Sequence, residues 1–317
     1  MRKLILLFSL WLLTATFYAQ QPQLFQDEKT GKYGYKNEAD KVIIKPVYDL
    51  AYEFEENLYT CVNIGADYIN NKGGKWGAID TRGKIIIPVM YDKIKYLGYG
   101  LFAVNKGEIF SNMDASWEGK YAIFNAAGKA LTPFIYTGSL FGIDFVNGFA
   151  TLEIRDAKTK TEKYGLLDST GKVALPVRYD DINLYSEEGL IMAALAGKYG
   201  FYDKKLKPVI PLKLEGAKIF RGGLAAIKTG GKWGFIDAKG TQVVAPQYED
   251  AGFFEEGLVG VKQNGKWGII DKENKQLLPF LYDDIVWIKE GGNDIRVKKE
   301  GKYIHVNRKG EEIKEKK

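Results

Sequence analysis

The sequence predicts an all-β fold: a tandem array of about eight three-stranded antiparallel units with almost no helix. Three observations carry this. A Gly-Lys-Trp-Gly-x-Ile-Asp phrase recurs, in full at Gly265-Lys266-Trp267-Gly268-Ile269-Ile270-Asp271, Gly231-Lys232-Trp233-Gly234-Phe235-Ile236-Asp237 and Gly74-Lys75-Trp76-Gly77-Ala78-Ile79-Asp80. Its Asp opens an Asp-x-x-Gly turn, as at Asp80-Thr81-Arg82-Gly83. An apolar run ending at Pro and then Tyr follows, as at Ile87-Pro88-Val89-Met90-Tyr91. Repetition at this period sets the architecture before local propensity does.

The copies start at 31, 74, 119, 162, 197, 231, 265 and 301, at intervals of 43, 45, 43, 35, 34, 34 and 36 residues. Tyr replaces Trp in Gly197-Lys198-Tyr199-Gly200, Lys163-Tyr164-Gly165 and Gly31-Lys32-Tyr33-Gly34. Within each copy, aromatic and β-branched residues make the Trp-Gly segment a strand. Glycine weakens a strand unless something packs on the bare backbone, and a neighbouring aromatic ring is the expected cover. The turn Asp is expected to accept backbone N–H bonds, and the fourth turn residue to need positive φ. Asp40 and Asn274, which replace that Gly in two copies, tolerate the left-handed region; Leu206 is a departure. Pro ends the next strand because it cannot donate to a ladder. A third strand follows at a Gly, as at Gly257-Leu258-Val259-Gly260-Val261. Leu24, seven residues before Gly31, belongs to a lone third strand at the N-terminal end. Units of some 34 residues cannot bury their own faces and must stack. The expected arrangement is an open twisted solenoid, with a closed propeller as the alternative.

These phrases resemble the WG-repeat family of bacterial proteins, built on Lys-Trp-Gly-Phe-Ile-Asp, Gly-Lys, an apolar-Pro strand and a Gly-Leu-Ala strand. The resemblance covers roughly residues 24–313 and implies a β-rich repeat array, often exported or at a cell surface. It supplies no catalytic residues.

Arg2 and Lys3 followed by the apolar run 4–13 read as a signal peptide over residues 1–19, cleaved after Ala19, leaving residues 20–317 as the array. The expected location is therefore periplasmic or extracellular, without stable membrane insertion. Charge is nearly balanced, 46 basic against 40 acidic residues, and interleaved, which argues against nucleic-acid binding. The single cysteine, Cys61, excludes an internal disulfide and reads as a buried structural thiol.

Catalytic constellations are sparse. His305 is the only histidine and sits in the most degenerate copy, so a Ser-His-Asp triad or a histidine metal site has almost nothing to work with, and His305 reads as a satisfied or solvent-facing side chain. Paired acids recur at Asp180-Asp181, Asp283-Asp284, Glu255-Glu256 and Glu55-Glu56. Recurrence at the repeat period assigns them to solvated loops rather than to acid–base or calcium chemistry. Glycines are accounted for by turns and Trp-Gly pairs, so no phosphate loop is expected, and no cofactor. Trp76, Trp233 and Trp267 read as core; Trp117 lies outside the repeat. The expected function is that of an exported, non-catalytic binding protein acting on an unknown protein or envelope glycan. Binding of a carbohydrate or envelope polymer is the alternative, and a carboxylate-dependent hydrolase the remaining one. The surplus residues of the long copies fall at 63–73, 105–118 and 153–161, between the third strand and the next Gly-Lys. Their Tyr68, Phe110, Met113, Trp117 and Arg155 are the candidate binding residues, with Trp117 the anchor.

Overall fold

A computed structural model of the chain describes residues 21–67, 72–107, 119–289 and 293–313. The expected leader lies outside them. Eight small antiparallel sheets in chain order hold the described strands, and one 3-10 turn, Leu140–Gly142, is the only helical element among them. Two compact units divide at residues 96 and 97, inside the strand Lys93–Gly98.

The first unit contains sheet 1 (Gln23–Gln26, Tyr33–Lys36, Val42–Tyr48) and sheet 2 (Leu50–Ala51, Tyr59–Asp67, Lys72–Asp80, Ile85–Tyr91). The strand expected around Leu24 pairs with Tyr33–Lys36. In the second unit, Leu101–Lys106 and Lys120–Asn125 of sheet 3 pair first. Sheet 4 follows (Phe149–Arg155, Glu162–Asp168, Val173–Tyr179), then sheet 5 (Asp181–Asn183, Ile191–Leu195, Lys198–Tyr202, Pro208–Leu214). Sheet 6 holds Gly216–Ala217, Leu224–Thr229, Lys232–Asp237 and Gln242–Tyr248. Sheet 7 holds Asp250–Ala251, Leu258–Gln263, Lys266–Asp271 and Gln276–Tyr282; sheet 8 holds Asp284–Ile288, Ile295–Lys299 and Lys302–Val306.

Sheets 1, 3, 4 and 8 have the three strands expected from the sequence, and the other four depart from it. Sheets 2, 5, 6 and 7 have four strands, because the residues just after each Tyr-acid pair cross over and edge the following sheet. These edge strands are two or three residues long, too short to leave a periodic signal. Their effect is to staple consecutive sheets: Glu249 N–H, leaving sheet 6, donates to the Lys262 carbonyl of sheet 7 at 2.8 Å.

The cores lie between sheets. Phe235 of sheet 6 meets Phe254 of the link into sheet 7 edge to face, centroids 5.0 Å apart, and Phe201 meets Phe220 likewise at 4.9 Å. One cluster draws Leu224, Phe235, Val244 and Tyr248 from sheet 6 and Val259, Val261 and Ile270 from sheet 7. No sheet closes its own core, which is why the units must stack. Trp76 is buried, whereas Trp233 and Trp267 are half-buried.

The Trp-Gly glycine has a different cause from the ring cover expected. Opposite Gly234, the proline strand bulges, with Phe235 paired to Val244 and Trp233 to Tyr248. A Cβ on Gly234 would lie 2.5 Å from the Val244 carbonyl oxygen and 2.6 Å from the Pro246 nitrogen, so the partner backbone itself excludes a side chain. Only at Gly268 does a ring share the role, with Phe280 Cδ1 at 2.9 Å. The turns follow the expected chemistry. Asp80 Oδ1 accepts from Arg82 N and Lys84 N, both at 2.9 Å, and Gly83 has φ +77°. Asp40, Leu206 and Asn274 hold the same left-handed position at φ 59°, 59° and 63°. Cys61 is buried, and burial pushes its thiol up to about 12. His305 Nδ1 lies 2.7 Å from Asp294 Oδ1.

Candidate functional site

Two stations recur where sheet 1 hands the chain to sheet 2 and at each handover from sheet 4 onward. The first is the residue after the Tyr (Leu214 in sheet 5) that ends the proline strand. The second lies on the next sheet's lead strand, opposite its Trp or Tyr. The first donates its N–H to the carbonyl of the second: Asp49 to Asn63, Asp180 to Ala194, Glu215 to Lys228, Glu249 to Lys262 and Asp283 to Lys298, at 2.7–3.0 Å.

The first-station acid is structural. Asp180 Oδ2 accepts from Gly197 N at 3.0 Å, Asp283 Oδ2 from Gly301 N at 2.9 Å, and Glu249 from Asn264 N and Gly265 N at 3.0 and 2.9 Å. Each carboxylate thus closes the turn that precedes the next Lys-Trp/Tyr. Lys32, Lys75, Lys163 and Lys266 pair with Asp49, Asp92, Asp180 and Asp283. Those hydrogen bonds, chiefly the Lys163 and Lys266 side chains, hold Asp180 and Asp283 below the usual carboxylate range. The solvated-loop role expected for the recurrent acids is corrected accordingly for Asp180 and Asp283. Among their neighbours, Glu255 and Glu187 flank Arg221, whose Nη1 is 3.0 Å from Glu255 and whose Nε is 3.8 Å from Glu187.

One junction breaks the pattern. Between sheets 3 and 4 the first station is Thr137 and the second Glu153, so the acid has changed sides. The reason lies in the insertion 153–161. Its turn is closed from within, Asp156 Oδ1 accepting from Lys158 N at 2.9 Å and Thr159 N at 2.7 Å, so no acid from the preceding sheet is needed. The freed positions make a polar cluster. Register places Glu153 opposite Tyr164 and Arg155 opposite Glu162, all four on one face of the sheet 4 hairpin. Tyr164 Oη donates to Glu162 Oε2 at 2.8 Å, and Arg155 Nε is 3.7 Å from Glu162 Oε1. Thr137 Oγ1 accepts from Arg155 N at 2.7 Å and its hydroxyl donates to the Glu153 carboxylate. Gly138, at φ +91°, brings its backbone so close that a Cβ would sit 3.0 Å from Glu153 Oε2. Desolvation, followed by the Glu162 charge, raises the Glu153 carboxyl above its ordinary 4.5; Tyr164 is pushed up to about 12 by burial and by Glu162. The cluster thus offers an exposed guanidinium beside a carboxylate that is unusually ready to take a proton.

Of the residues predicted from sequence, only Arg155 is among those described, and it belongs to this cluster. Tyr68, Phe110, Met113 and Trp117 lie outside the described residues. Thr137, Glu153, Glu162 and Tyr164 went unread. The signal that finds them is a mismatch between copies: Tyr136-Thr137 where others read Tyr-Asp or Tyr-Glu, and Glu153 where the compact copies carry Lys228, Lys262 and Lys298. Among the described residues, no group of His, Cys, Asp and Glu is arranged to hold a metal ion.

No functionally curated protein matches the chain in sequence. Among solved structures, a eukaryotic initiation factor aligns over 93% of this chain and 87% of its own at 8% identity, with a TM-score of 0.40. The Dos1 propeller aligns over 92% and 82% at 13% identity and TM-score 0.33, and AztD of Citrobacter koseri over 89% and 90% at 12% identity and TM-score 0.36. These scores are too low for activity to be carried across. The family comparison is direct: the model described as "WG containing repeat" matches residues 33–65, 76–108, 164–199, 199–233, 233–267 and 267–303. Those six matches take in well over half of the sequence, and the chain belongs to the WG-repeat family.

Proposed function

We propose that this protein is an exported, non-catalytic binding protein whose partner site is built on the surface of the sheet 4 hairpin around Arg155. One observation carries the reading. The first-station acids Asp180, Glu215, Glu249 and Asp283 are spent on turns, whereas Glu153, Arg155, Glu162 and Tyr164 form a cluster that stacking does not require. A charged, partly buried hydrogen-bonding group at the root of an exposed loop is what recognition uses. Export is read from the leader at residues 1–19; N-terminal sequencing of the mature protein should begin at Gln20, and an uncleaved Met1 would count against it. The array is read as an open twisted solenoid, with a closed propeller as the alternative. Small-angle scattering tests that, an extended profile supporting it and a compact disc favouring the propeller. For the partner site, the loops 63–73, 105–118 and 153–161 are shortened to the length of the Lys262-Gln263-Asn264 turn, followed by a pull-down from the native envelope or culture medium. Loss of retained partners with unchanged melting is expected; a folded variant that retains every partner overturns the assignment.

A carboxylate-dependent hydrolase is the second reading, favoured by the raised Glu153 beside Glu162. Acid–base work needs two carboxyls of unequal proton affinity. Release of reducing ends from envelope glycans, abolished by Glu153→Gln, would establish it; no release by the wild type removes it.

A further inference from the structure

The Trp of the repeat phrase has a covering station, and the chain fills it differently in different sheets. Tyr52, Lys218 and Gly252 occupy equivalent positions, fixed by the same backbone bond: Tyr52 N to Cys61 O at 3.3 Å, Lys218 N to Ala226 O at 2.9 Å, and Gly252 N to Gly260 O at 2.8 Å. In sheet 2, Tyr52 stacks on Trp76, with centroids 5.5 Å and planes 9° apart, and Trp76 is buried. In sheet 6, Lys218 takes its place, its Nζ 5.4 Å from the Trp233 ring centroid and 5.4 Å from that of Phe253. The same ammonium donates to the Ala251 carbonyl and lies 4.0 Å from Asp250 Oδ1. That is a complete lysine site: aromatic faces, a carbonyl and a carboxylate.

Sheet 7 has the same Trp267 and no covering side chain, because the station is Gly252. Among the described side chains no aromatic ring and no cation lies over Trp267, which is half-buried against the core shared by sheets 7 and 8. The carboxylate and the backbone carbonyl position of the Lys218 site are repeated, while the counterpart of Phe253 is not part of the site. Asp284 pairs with Lys298 as Asp250 pairs with Lys262, and Ile285 stands where Ala251 stands. The Asp284 carboxylate is also turned the same way, accepting from Ile285 N at 2.9 Å as Asp250 accepts from Ala251 N at 2.8 Å.

We infer that Trp267, with Asp284 and the Ile285 carbonyl, is a docking site for a lysine ammonium of a protein partner, copying between chains the contact that Lys218 makes within this one. The chemistry of the occupant is read from sheet 6, where the equivalent site selects a cation, and from the carboxylate that the site supplies. This site is separate from the Arg155 cluster and does not rest on it.

The test uses the full chain, with the Trp267 indole N–H signal identified by Trp267→Phe, and an acetylated, amidated peptide of alternating lysine and glycine as probe. The Trp267 signal is expected to move with this peptide and to stay put with its ε-acetylated form and with cellohexaose. Gly252→Lys should abolish the response by covering the ring from within. The substitution is sterically tolerable, since a Cβ there meets nothing nearer than the Gly260 oxygen at 3.4 Å and φ is not positive. Asp284→Asn should weaken binding about tenfold, the order of a charge-assisted contact. Lys218→Gly should bring a second indole, Trp233, into the response, and it decides the matter if Gly252→Lys fails to fold. A Trp267 signal that ignores the peptide overturns the inference. So does one that moves equally with the acetylated peptide or with cellohexaose, a folded Gly252→Lys that binds as the wild type does, or a Lys218→Gly that leaves Trp233 silent.

Discussion

The junction between sheets 6 and 7 and the junction between sheets 3 and 4 solve the same problem with opposite charge. In the first, Glu249 reaches forward and caps the Asn264-Gly265 turn, and a lysine, Lys262, occupies the facing station. In the second, the turn carries its own Asp156, Thr137 replaces the forward acid, and Glu153 replaces the lysine. Once an insertion caps itself, the first station no longer has to close the next turn, and although Thr137 still bonds Glu153 and Arg155 across the junction, a side chain other than an acid can occupy it. On the proposed reading, the partner site lies where a structural acid is missing, and the recurrent acids serve the turns.

The largest effect should come from the feature both junctions share. Gly234→Val drives a branched side chain into the Val244 carbonyl and should cost about 1–3 kcal/mol or slightly more. Gly222→Ala, at φ +58°, should cost about 1 kcal/mol from backbone strain. Thermal melting compares them, and equal shifts would contradict the backbone-approach explanation.

The next experiment rewrites one junction in the terms of the other. Thr137→Asp alone sets a carboxylate beside Glu153 and removes the hydroxyl that bonds it, so it should destabilise. Combined with Glu153→Lys it restores the arrangement of the compact copies. The double-mutant cycle should show a favourable coupling of about 1 kcal/mol, and strict additivity would break the equivalence of the stations.

The phrase-level architecture was open to reading because each of its devices is local. Asp80 and Gly83 sit three residues apart, and their turn chemistry needs no knowledge of the fold. The edge strands such as Gly216–Ala217 were not readable, since two residues carry no period and their pairing is dictated by the neighbouring sheet. Nor was the reason for the Trp-Gly glycine, which depends on a bulge in a strand ten residues on. The site was half legible. Arg155 stood out as a charge within an insertion, but Thr137 and Glu153 acquire meaning only once register shows them occupying the stations that Glu249 and Lys262 hold between sheets 6 and 7.

A smaller difference separates the junctions on titration. Hydrogen bonding lowers Asp180 and Asp283 from 3.8, so their contribution is present above that value and is lost as pH falls through the lowered folded value. Glu153 has the opposite sign. Its folded carboxyl is raised from 4.5, so the folded state holds the proton more tightly, and stability falls as pH rises from 4.5 through the raised value. Glu153→Gln should therefore melt slightly higher than the wild type near pH 7 and converge on it near pH 4.5. A constant offset across that window would assign the shift to something other than titration.

The most direct measurement sets the two junctions against each other for stability and for binding at once. Glu249→Gln and Arg155→Ala are each melted and each used as bait in the native envelope or culture medium. Glu249→Gln should lose stability and retain the wild-type partners. Arg155→Ala, whose exposed ion pair with Glu162 adds little to folding, should melt as the wild type does and lose them. If Arg155→Ala keeps every partner while Glu249→Gln, still folded, releases them, the acids that close the turns are the recognition groups and the account is wrong.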